Sequence, residues 1–123
     1  MNRTFKALVY GAAASTFIAG VLHLALVPMF FNQMRPDVMI FFIGSGLAQL
    51  FWIIPTAKRW IFPWYYIGIG GTIILILLWI IAIPGSGYPI GEMDVAIEVS
   101  QIVFVILSVI VIKKNKEFNK AGM

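Results

Sequence analysis

His23, Gln49, Glu98 and Gln101 stand inside long runs of apolar residues, and they are the side chains there whose types could do chemistry. An ionisable group within a membrane span costs ~2.5–3.5 kcal/mol on insertion scales, so each one asks for a reason. A histidine beside a glutamate can relay a proton or bind a polar substrate. The same pair, with glutamines completing its hydrogen bonds, can also be a structural clasp. An imidazole suits copper or zinc, and thioethers suit Cu(I). Met29, Met34, Met39 and Met93 gather near the outer ends of the runs and join His23 as candidate metal ligands, although methionine equally fills gaps in cores. The chain has one histidine and no cysteine. Thiolate sites, disulfides and a haem held by two histidines are therefore excluded. No acyl-transfer triad follows from a single histidine without a serine motif. Gly68-Ile69-Gly70-Gly71 lies within an apolar run and follows no strand, so it is not a dinucleotide fingerprint. Asp37, Glu92 and Asp94 read as solvated caps. Neither a catalytic residue nor a resident cofactor is expected, with copper as the metal the residue set would suit.

The elements that must position these groups are four apolar helices: about Ala7 to Phe31, Val38 to Ile54, Pro63 to Ile83, and Asp94 to Ile112. Each is long enough to cross a hydrocarbon core of ~30 Å, which takes ~20 helical residues. Asp37 and Asp94 serve as N-caps, Pro55 helps to end the second helix, and Pro63 fits the first turn of the third. The segment Pro84 to Gly91 is the longest loop, and Lys113 to Met123 is a polar, frayed tail. Ile- and Val-rich runs have strand propensity, but they lack alternation, and an open sheet cannot sit in lipid. The expected fold is all-α: one domain, residues 1–123, forming an up-down-up-down bundle of four transmembrane helices.

At ~1.5 Å rise per residue, His23 lies ~12 Å from the outer end of its helix, Gln101 ~10 Å, Glu98 ~6 Å and Gln49 ~16 Å. Asp94, Glu98, Gln101, Val105 and Ser108 repeat at four and three residues and form one stripe facing the bundle. These depths predict a His23–Glu98 pair supported by Gln101 and Gln49. Close packing in lipid needs small residues. Ala12, Thr16 and Gly20 supply them on the first helix, Gly44 and Ala48 on the second, and Gly68 and Thr72 on the third.

Composition agrees with a membrane protein. Hydrophobic residues make up 61% of the chain and charged residues 11%, against roughly 25% charged in soluble domains. The net charge of +4 sits in short clusters beside the apolar runs, which sets topology rather than nucleic-acid binding. Arg3, Lys6, Lys58, Arg59, Lys113, Lys114, Lys116 and Lys120 share one side of a four-span chain, and Arg35 alone is opposite. The positive-inside rule then places both termini in the cytoplasm, with the protein in the cell membrane. The first run is longer than a signal-peptide core of ~7–15 residues and is expected to be retained.

Gly20-Val21-Leu22-His23 with Pro28, Gly44 to Gln49, Trp64-Tyr65-Tyr66-Ile67-Gly68, Trp79, Pro84-Gly85 with Pro89-Ile90-Gly91, and Asp94 with Glu98-Val99-Ser100-Gln101 together carry a resemblance. The chain resembles a family of small four-span membrane proteins of ammonia-oxidising archaea and some actinobacteria, over about Gly20 to Gln101. Some relatives carry an acidic residue and another histidine after the first helix's proline, where this chain has Pro28-Met29-Phe30-Phe31. The resemblance implies an accessory subunit of the copper-containing ammonia monooxygenase. The expected function is therefore a non-catalytic accessory or structural subunit of a larger membrane complex. Its partners would be the bilayer and other membrane subunits or further copies of itself. The alternative is a small transporter or a proton or metal carrier using the intramembrane His–Glu cluster.

Overall fold

The first helix, α1 (Arg3–Met29), is continuous because nothing in its interior breaks it. Its one proline, Pro28, lies in the last turn. In the computed structural model, which describes residues 3–29, 32, 35–82, 85 and 91–120, α1 is followed by α2 (Pro36–Phe51), α3 (Ile53–Ala57), a five-residue π-helical turn (Ile61–Tyr65), α4 (Tyr66–Ala82) and α5 (Glu92–Lys120). No strand occurs among the described residues. The fold is an all-α four-helix bundle. Four helical stretches are long and apolar enough to cross a membrane: Arg3–Met29, Pro36–Ala57, Pro63–Ile81 and Glu92–Glu117.

The helix ends differ from the sequence expectation at several places. Asp37 is not the N-cap of the second span. Pro36 occupies the first helical turn, Arg35 precedes it, and the Asp37 carboxylate accepts the Val38 N–H at 2.9 Å while pairing with Arg35. Asp94 likewise lies inside α5. Its Oδ2 reaches back to the Gly91 N–H at 2.9 Å, the carboxylate half of a capping box, and Asp94 itself is buried rather than solvated. Pro55 does not end the second span. It withholds an N–H from the Phe51 carbonyl, which interrupts the helix at Trp52, and the chain then resumes as α3. The true end is a Schellman turn: Trp60 N–H bonds to Pro55 O at 2.9 Å and Arg59 N–H to Thr56 O at 3.2 Å. Arg59 takes the left-handed conformation this turn requires, with φ 57°. The expected frayed tail is instead helical to Lys120. Glu117 stands three and four residues after Lys114 and Lys113, a spacing that supports a helix outside the apolar stretch. The loop from Pro84 to Gly91 was expected to be irregular and lies mostly outside the described residues.

α1 is the hub, packing along both α2 and α5. The third span touches α5 lightly and meets the second span chiefly at their connecting turn. It is the least buried of the four, with 17% of its apolar stretch inside the bundle against 44% for α1. Two apolar clusters form the ends of the core. Leu26, Val38, Phe42 and Ile97 close one end. Phe5, Val9, Tyr65, Val111 and Ile112 close the end that carries Lys6, Lys58 and Lys113. Between them lies a layer of buried polar residues that includes Thr16, His23, Ser45, Gln49, Thr72 and Gln101.

Candidate functional site

Gly20 and Gly46 set the geometry of that polar layer. A Cβ built on Gly20 would come within 2.9 Å of the Gly46 carbonyl oxygen, and one on Gly46 within 2.9 Å of the Gly20 carbonyl oxygen. Two backbones this close let short side chains reach across. Thr16 Oγ donates to the Gln49 carbonyl at 2.8 Å. Two turns further along α1, His23 Nδ1–H donates to Gln49 Oε1 at 2.7 Å. Both bonds are buried, and both join α1 to α2. The imidazole is further held edge-on against the Phe42 ring, 5.4 Å between centroids. A neutral histidine that donates from Nδ1 keeps the Nε2 lone pair as an acceptor.

The expected partner of His23, Glu98, is thus replaced by Gln49. The reason lies in the face of α5. Its buried stripe runs Asp94, Ile97, Gln101, Phe104, Ser108 and Val111, spaced alternately at three and four residues. Glu98 stands one position off this stripe and is only partly buried. Val105 is also off it. Among the described residues, Glu98 Oε1, Gln101 Oε1 and Ser108 Oγ are buried and meet no hydrogen-bond partner. Gln101 is bracketed on α5 by Ile97, which packs with Leu26 and Phe42, and by Phe104, which shares a cavity wall with Thr16 and Gln49. It therefore lies between the levels of Leu26 and Thr16 on α1.

The packing residues divide in the same way. Ala12, Thr16 and Gly20 are buried on α1, and Gly68 and Thr72 are buried on α4. Gly68 is required: a Cβ there would overlap the indole of Trp52. Gly44 and Ala48 are corrections, for both are exposed, and a Cβ on Gly44 would meet nothing within 4 Å. The inward face of α2 is Val38, Phe42, Ser45, Gly46 and Gln49.

The candidate copper ligands fall at different places in the structure. Met39 and Met93 pack against the cluster of Leu26, Phe42 and Ile97, Met29 is exposed at the end of α1, and Met34 lies outside the described residues. Among the described residues no three His, Cys, Asp or Glu side chains come together as a metal site.

One feature gave no signal in the sequence. Between the second and third spans is a cavity of about 240 Å³ whose wall includes Gln49, Trp52, Gly68, Gly71, Thr72 and Leu75. Its lining mixes small, polar and aromatic residues from separate helices, which announces no cavity from residue types. No family model, curated protein or solved structure matches the chain.

Proposed function

We propose that this chain is a small multi-pass membrane protein serving as a non-catalytic accessory subunit of a larger membrane complex, with both termini in the cytoplasm. Four apolar helices are compatible with a small integral membrane protein. The observation that carries the structural reading is the His23–Gln49 bond of 2.7 Å. The one side chain best suited to acid–base or metal chemistry is engaged in joining α1 to α2, beside the Thr16–Gln49 bond that does the same. The motif resemblance directs the proposal toward a copper-containing ammonia monooxygenase as the complex. The distribution of Lys and Arg supports the orientation.

Purification of the tagged chain from its native membrane in mild detergent tests this reading. Stoichiometric polytopic partners are expected. A monodisperse chain without partners would overturn it.

A second reading, a proton or polar-solute carrier, has its own observation. Among the described residues, Glu98 Oε1 and Gln101 Oε1 are buried without hydrogen-bond partners on the helix that faces α1. Proteoliposome flux that is lost in Glu98→Gln would favour this reading, and unchanged flux would remove it.

A further inference from the structure

The cavity between the second and third spans opens on the outside of the bundle, because Ala48 and Gly71 on its rim are exposed. Its floor is kept open by small residues, with Gly68 against the Trp52 indole. A continuous line of contacts leads from it to the basic turn. Trp52 lines the cavity and donates its indole N–H to the Trp64 carbonyl at 3.1 Å. The Trp52 and Trp64 rings are 5.7 Å apart, Trp64 and Trp60 5.8 Å, and Lys58 Nζ lies 5.8 Å from the Trp60 ring. Arg59 follows Lys58 and is exposed.

We propose that this groove binds one anionic lipid, its phosphate at Lys58 and Arg59 and one of its chains in the slot along Trp52, Gly68, Gly71 and Thr72. Charge and length both select this occupant. Lys58 and Arg59 are two exposed cations where tryptophans mark a membrane interface. From Ala48 to the end of the helix at Ala57 the rise is about 13 Å at ~1.5 Å per residue, close to half of a ~30 Å hydrocarbon core and therefore within the reach of one leaflet's chain. The inference needs only a bilayer around the protein, so it does not depend on the subunit reading.

The test is native mass spectrometry of the full, delipidated chain titrated with phosphatidylglycerol or phosphatidylcholine of identical chains. One phosphatidylglycerol should be retained about thirtyfold more tightly than phosphatidylcholine, two cations each contributing about a kcal/mol near an anionic surface. K58A/R59A should abolish that preference. Gly71→Leu, at a position where a Cβ meets nothing within 4 Å, should fill the slot and weaken retention of both lipids. Equal retention of the two lipids, or unchanged retention by Gly71→Leu, overturns the proposal. So does equal binding of glycerol phosphate without chains, which would mark a free-anion site. Recovery of a partner's helix in the slot would also overturn it. Tryptophan quenching by chain-brominated phosphatidylglycerol in wild-type protein gives a readout that needs no variant. Quenching should exceed that by brominated phosphatidylcholine at the same mole fraction, and equal quenching would count against the site.

Discussion

His23 Nδ1 and Gln49 Oε1 meet at 2.7 Å in the buried layer between α1 and α2. Removing either partner leaves the other buried and unsatisfied, which costs about 1–3 kcal/mol. Interhelical bonds in membranes nonetheless couple more weakly, by about 0.6 and at most ~1.7 kcal/mol. His23→Leu and Gln49→Leu should therefore each destabilise the bundle, and the double variant by less than their sum. Reversible unfolding in mixed micelles measures the four corners of the cycle. Additive effects would mean that the bond is not what joins the helices.

Gly20 and Gly46 permit that bond by letting the two backbones touch. An alanine at either position would stand 2.9 Å from the other helix's carbonyl oxygen. Overpacking of this kind costs roughly 1–3 kcal/mol. Gly20→Ala and Gly46→Ala should lower the thermal midpoint in detergent, while Gly44→Ala should leave it unchanged or raise it, since its Cβ enters open space. Equal sensitivity at Gly44 and Gly46 would place the wrong face of α2 inward.

The four spans and the polar layer are legible in the sequence because they follow from run length and from the cost of burying polar groups in lipid. The facing of α2 was not legible from its small residues, and only Gln49 points to it. Residues three, four and seven before Gln49 are Gly46, Ser45 and Phe42, all buried. Gly44 and Ala48 lie on another face and cannot point inward together with Gln49. Two small-residue faces on one helix made the choice ambiguous until the hydrogen bond decided it. The partner of His23 was not legible. Depth alone admits Gln49 and Glu98, and the choice depends on α5 presenting Asp94, Ile97, Gln101 and Phe104 inward, a stripe that leaves Glu98 at the edge. The helical tail was hidden by a polar composition that resembles a frayed end.

Arg59 holds a left-handed conformation, φ 57°, at the position of a Schellman turn that glycine usually takes. That conformation costs an L-residue roughly 1–2 kcal/mol. Arg59→Gly should therefore raise the stability of the turn relative to Arg59→Ala, which keeps the strain but removes the same charge. Hydrogen exchange at Trp60 N–H, which bonds to Pro55 O, reads the difference locally. Equal protection in the two variants would show that the turn does not enforce this backbone geometry.

The orientation is testable because the chain has no cysteine of its own. α5 has 29 residues, about 43 Å at ~1.5 Å each, and so exceeds a ~30 Å hydrocarbon core. Glu92 and Lys116, both exposed, stand near its opposite ends. With basic residues held on the cytoplasmic side, Glu92→Cys should react with an impermeant maleimide on intact cells, and Lys116→Cys only after lysis. The reverse pattern would invert the topology while keeping the bundle. Reaction of both sites on intact cells would mean that α5 does not span the bilayer, which would undo the membrane reading of this helix altogether.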